Sequence, residues 1–147
     1  MDQTKQRRID VLMEHYDESH RHPVNELIHC VCVPAIVLSA LGMLWTAHPF
    51  VAYGAVLLSL IYYFTLSLPF AVGMVVMSSI MLWLLQVTPP AAVFPGSIAV
   101  FVIAWIGQFI GHKIEGKKPS FFEDLRYLLI GPLYVLNVLY RRLNIAY

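Results

Sequence analysis

Six histidines are many for a chain of 147 residues, and they are unevenly placed. His20, His22 and His29 bracket the start of the first long apolar segment, and His112 closes the last one. Trp105, Gln108, His112 and Glu115 follow one another at steps of three, four and three, so they share one face of a helix. Asn25 and His29, four apart with His22 a further turn back, form a matching face. Neutral imidazoles with a carboxylate and open positions suit non-haem Fe(II) chemistry. Taken singly, His, Asn and Gln in such a segment are most simply polar contacts between helices. Taken together at one end of a bundle, they favour a metal site. Glu26-x-x-His29 has the order used in di-iron carboxylate bundles, and His112-x-x-Glu115 has the reverse order, so a dinuclear centre stays open.

The other chemistry-bearing residues read more plainly. His15 falls on a surface helix and is solvated. His48 falls in the opposite loop, a membrane thickness from the cluster. Cys30 and Cys32 are two apart, so on a helix they point to different faces and read as small buried residues. Gly107 and Gly111 form a GxxxG pair, which signals close helix packing beside His112. There is no nucleophile elbow, P-loop or dinucleotide fingerprint.

These residues need elements to position them, and the composition says which. The chain is 59% hydrophobic and 13% charged, with mean hydropathy +0.67. Soluble domains run about 45–50% apolar and about 25% charged. Between Glu26 and Lys113 lie 86 consecutive residues without Asp, Glu, Lys or Arg. One membrane crossing takes about 20 residues, so this stretch holds several. The first 26 residues carry ten charges and no apolar run, which excludes a cleavable signal there. A net charge of +1 gives no footprint for nucleic acid.

Prolines and polar breaks divide the chain into an all-α integral membrane bundle, one domain over 1–147. An amphipathic helix is expected over 4–18, with Ile9, Leu12, Met13 and Tyr16 on one face, lying on the membrane or against the bundle. Four spans follow at about 23–47, 49–66, 68–87 and 92–112. Their loops are short, so chain neighbours are expected to pack antiparallel. A fifth stretch, 125–140, is shorter and carries Gly131-Pro132 in its middle. It is expected to be re-entrant or interfacial, with the charges on either side of it facing one compartment. Four spans put both termini on one side. Lys5, Arg7, Arg8, Arg21, Lys113, Lys117 and Lys118 gather there, which marks that side as cytoplasmic. His20, His22, His29 and His112 then all lie at the cytoplasmic end.

The polar signatures also carry a family likeness. The run Tyr16-x-x-Ser19-His20-x-x-Pro23-x-Asn25-x-x-Ile28-His29-x-x-x-x-Pro34 resembles the N-terminal motif of the membrane 2-hydroxy fatty acid dioxygenases. Trp105-x-x-Gln108-Phe109-Ile110-Gly111-His112-x-x-Glu115-x-x-x-Pro119 resembles their second motif, and Gly131-Pro132 sits near a late proline. The resemblance covers essentially the whole chain. It implies an Fe(II)-dependent enzyme that shortens 2-hydroxy fatty acids by one carbon using O2, as in phytosphingosine breakdown. By position, His20, His29 and His112 match the family's histidines, with Glu115 beside them as a fourth ligand or as the residue that orients one. His22 and Glu26 fall outside the motif. A 2-hydroxy acid can chelate Fe(II) through its carboxylate and hydroxyl, and the apolar bundle would take its chain. The host membrane, bacterial inner membrane or endoplasmic reticulum, stays open. Rival readings are a di-iron lipid hydroxylase or desaturase, and a non-catalytic metal- or lipid-binding membrane protein.

Overall fold

A computed structural model describes residues 8–17, 22–116 and 130–146. The described residues form six helices and no strand: α1 (Arg8–Asp17), α2 (Pro23–Ala47), α3 (Pro49–Leu66), α4 (Leu68–Val87), α5 (Pro90–Glu115) and α6 (Ile130–Leu143). Helices α2 to α5 are long and apolar enough to cross a membrane, and the chain is an all-α membrane bundle. At 1.5 Å per residue the shortest of them, α3, is about 27 Å long, close to the hydrocarbon thickness of about 30 Å. Leu27, Leu58, Ile80 and Ile103 point outward from the four spans. Such exposure costs nothing against lipid tails.

The helix starts follow from local chemistry. Pro23, Pro49 and Pro90 each take the first position of a helix, where the missing N–H is harmless. His22 Nδ1 accepts a hydrogen bond from the Val24 N–H at 3.2 Å, and His48 Nδ1 accepts one from the Phe50 N–H at 3.1 Å. Both imidazoles thus act as N-caps, satisfying amides that the helix leaves open. Gly116, at φ 74°, ends α5 in the left-handed conformation that glycine adopts without strain. The predicted spans one to three match the observed helices end for end. The fourth starts two residues earlier and ends three later.

One expectation needs correction. α5 makes its extensive contact with α2, not with its chain neighbour α4. The reason lies in side-chain size. A Cβ added at Gly107 would stand 2.6 Å from Cys32 Sγ, and one at Gly111 would run into Asn25 Oδ1. Across the same seam Gly42 of α2 admits Ser97 of α5. Between apolar helices in lipid, close backbone approach is a main source of association. Helix α2 is the hub, packing also on α3, α4 and α6.

Helix α6 carries Gly131-Pro132 near the start of its described part and Arg141-Arg142 in its last turn. Its residues from Ile130 to Val138 are buried apart from Val135, against α1, α2 and α4. Its fourteen described residues make about 21 Å. Tyr140 stacks on Phe70 with centroids 5.5 Å apart and donates its hydroxyl to the Pro69 carbonyl at 2.7 Å. Burial pushes that hydroxyl's pKa up. Ile9 and Met13 of α1 join the same cluster, so α1 lies against the bundle. Residues 4–7, 18 and 125–129, to which the sequence assigned helix, lie outside the described residues.

Candidate metal centre

Helix α2 runs away from one end of the bundle, and α5 returns to it. The α2–α5 seam therefore sets His29 beside His112, 83 positions apart in sequence. Their rings meet edge to face, with centroids 5.9 Å apart and planes at 86°. His29 is 2% exposed and His112 8%. Asn25, one turn before His29, is fully buried, and Gln108 and Trp105 on the His112 face are buried too. The equal membrane depth of residues 29 and 112, expected from the number of spans, is what the helices produce.

These rings fit a shared metal. A metal–nitrogen bond of about 2.0–2.1 Å puts a bound imidazole's centroid about 3.2 Å from the ion, so two rings on one ion lie at most about 6.4 Å apart. That limit belongs to nitrogens on opposite sides of the ion; the observed 5.9 Å corresponds to an angle of about 135° at the metal, inside the limit and wider than tetrahedral. The Gln108 Oε1 atom is buried and has no hydrogen-bond partner among the described residues. A buried amide oxygen left so is costly unless something else meets it.

The other candidates divide. Glu115, half-buried, accepts a hydrogen bond at Oε1 from the backbone N–H of His22. It thereby ties the end of α5 to the start of α2. Among the described residues no three of His, Cys, Asp and Glu gather into one metal-binding group. His20 lies outside the described residues. His22 is exposed and serves as the α2 cap, and His48 caps α3 at the far end. Cys30 packs on the α6 cluster and Cys32 on the α5 side, the two faces expected of residues two apart.

Sequence reasoning passed over Tyr134 and Asn137 on α6. Both are buried, and Asn137 Oδ1 has no hydrogen-bond partner among the described residues. The available signal was their spacing of three, which puts two polar residues on one side of an apolar helix.

A small all-α membrane bundle with two buried histidines paired at one end is a narrow class. Within it, the chain belongs to the Mpo1-like family, whose model, described as 2-hydroxy-palmitic acid dioxygenase Mpo1-like, matches residues 7–143. That range contains every candidate site residue. The 2-hydroxy-palmitic acid dioxygenase MPO1 of Saccharomyces cerevisiae is 30% identical over 132 residues, covering 82% of this chain and 73% of the yeast protein. No solved structure matches the chain.

Proposed function

We propose that this protein is an Fe(II)-dependent dioxygenase that shortens 2-hydroxy fatty acids by one carbon using O2. The observation that carries the reading is the buried contact between His29 and His112, made by helices from opposite ends of the chain. Membership in the dioxygenase family supplies the substrate class.

His20, His29 and His112 are the residues that would hold the metal, through neutral imidazole nitrogens. Fe(II), when bound, supplies the O2 chemistry and a chelation point for the substrate's carboxylate and hydroxyl. Glu115 holds the His22 amide, so its most direct role is to tie the start of α2 to the end of α5 beside the histidine pair. The Gln108 carbonyl oxygen accepts a hydrogen bond from the substrate's 2-hydroxyl, which orients the C1–C2 bond. Trp105, packed on Phe101 and Phe109, closes the α5 face against water. The site opens to the cytoplasmic face, where the positive residues gather.

The test is metal analysis of purified protein together with O2 uptake on 2-hydroxypalmitate. The expected result is about one iron per chain and a product one carbon shorter. Iron without O2 uptake would point to a metal-binding protein that is not an enzyme, and two irons per chain to the dinuclear rival. Loss of iron in His29→Ala and His112→Ala, with unchanged helix content, locates the metal.

A further inference from the structure

A partly open pocket with a cavity volume of about 160 Å³ lies between α2, α3 and α4, bounded also by Pro132 of α6. Its wall is apolar, and the hydroxyls of its two lining serines are taken up by their own helices: Ser59 donates to the Ala55 carbonyl at 2.8 Å and Ser78 to the Met74 carbonyl at 2.6 Å. We infer that this cavity holds the alkyl chain of the 2-hydroxy acid, and that Leu44, Ala55 and Met81 form the floor that sets chain length. The inference rests on the reaction proposed above.

Register along the helices supports it. His29, Val33, Val37, Ala40 and Leu44 fall at steps of four, four, three and four, on one stripe of α2. Val37, Ala40 and Leu44 line the cavity, and Val33 is buried between them and His29. The stripe thus leads from the histidine pair into the apolar space. The short turn at His48 sets Ala55 opposite Leu41. The turn at Ser67 brings Met81 near the depth of Leu44.

Lengths agree as well. From His29 to Leu44, α2 rises about 22 Å. Carbon–carbon bonds of about 1.5 Å at tetrahedral angles advance about 1.25 Å each, so a palmitoyl chain beyond C2 spans about 17.5 Å. A headgroup held at His29 places the terminal methyl near the depth of Leu41, where Ala55 forms the upper edge of the floor. A cavity of about 150 Å³ admits a benzene-sized ligand, so a full chain needs the wall to give way. Met74 and Met81 are the unbranched, adaptable side chains in that wall.

The experiment measures chain-length profiles with the full-length protein in nanodiscs. A fluorescent fatty acid is displaced by 2-hydroxylaurate, 2-hydroxypalmitate or 2-hydroxyarachidate, and O2 uptake is recorded on each. Every methylene kept out of an apolar site weakens binding about fourfold. Ala55→Phe fills about four methylenes of depth, so it should weaken 2-hydroxypalmitate roughly 200-fold relative to 2-hydroxylaurate. Leu44→Ala should improve 2-hydroxyarachidate by about tenfold or more. Should Ala55→Phe not fold, Leu44→Ala decides alone, since it only removes bulk. Wild-type length profiles in the folded variants would overturn the inference, even if 2-hydroxypalmitate is oxidised. Shifted profiles in binding with no O2 uptake would keep the chamber and refute the reaction.

Discussion

Replacing Gly111 by alanine tests whether the α2–α5 seam holds the two histidines at a metal-binding separation. The new methyl would run into Asn25 Oδ1, with Asn25 Cγ and Ile28 Cγ2 already at 3.4 and 3.5 Å. Asn25 has no exposed surface, so its amide has no room to swing aside. The helices must then separate locally by roughly 1 Å, at an overpacking cost of about 1–3 kcal/mol. Alanine's better helix propensity returns up to about 1 kcal/mol, so the protein should still fold. His112 is the next residue. Moving its ring away by that amount takes the His29–His112 separation from 5.9 Å to nearly 7 Å. Two imidazoles on one ion cannot be more than about 6.4 Å apart. Gly111→Ala should therefore lose most bound iron while keeping its helical circular dichroism. Gly54→Ala and Gly96→Ala, where an added Cβ meets nothing within 4 Å, should keep full iron content. Gly107→Ala should behave like a milder Gly111→Ala and be restored by Cys32→Ala, which removes the sulfur it meets at 2.6 Å. A folded Gly111→Ala protein with wild-type iron would refute the claim that seam closeness sets the site.

Glu115→Ala should weaken iron binding about 10–100-fold, with Glu115→Gln retaining more because it still offers the His22 amide an acceptor. Metal titration checks this, and wild-type iron content in Glu115→Ala would decide for a merely solvated carboxylate. His48→Ala, at the opposite end, should keep iron and turnover yet lower the thermal midpoint, since it removes the α3 cap, worth about 0.5–2 kcal/mol. A topology reporter fused after Tyr147 should read as cytoplasmic; a reading on the other side would require α6 to span.

Much of this architecture was legible because prolines punctuate the sequence. Pro23, Pro49 and Leu68-Pro69 open helices in the structure where the sequence placed them. The histidine pair was legible from parity alone, since four crossings return the chain to its starting side. The partnership of α5 was less so. Loop length argued for α4, and only the size of Gly107, Gly111 and Gly42 reveals that α5 fits α2. Glu115 was legible as a candidate beside His112, but its bond to the His22 backbone was not, because backbone donors leave no trace in sequence.

That the first crossing pairs with the last also bears on biogenesis. A chain emerging from the ribosome delivers α2 to the membrane well before α5. Through the insertion of α3 and α4, Asn25 and His29 wait on a helix whose proper neighbour does not yet exist. Polar groups in lipid seek any available partner, so this interval is when misassembly threatens and when an insertase or a neighbouring chain has most to protect. Arrival of Gly107 and Gly111 ends it, covering the polar face and pairing the histidines in one event. The histidine pair is thus a product of completed insertion: a chain stalled after α4 has a membrane anchor but no paired imidazoles.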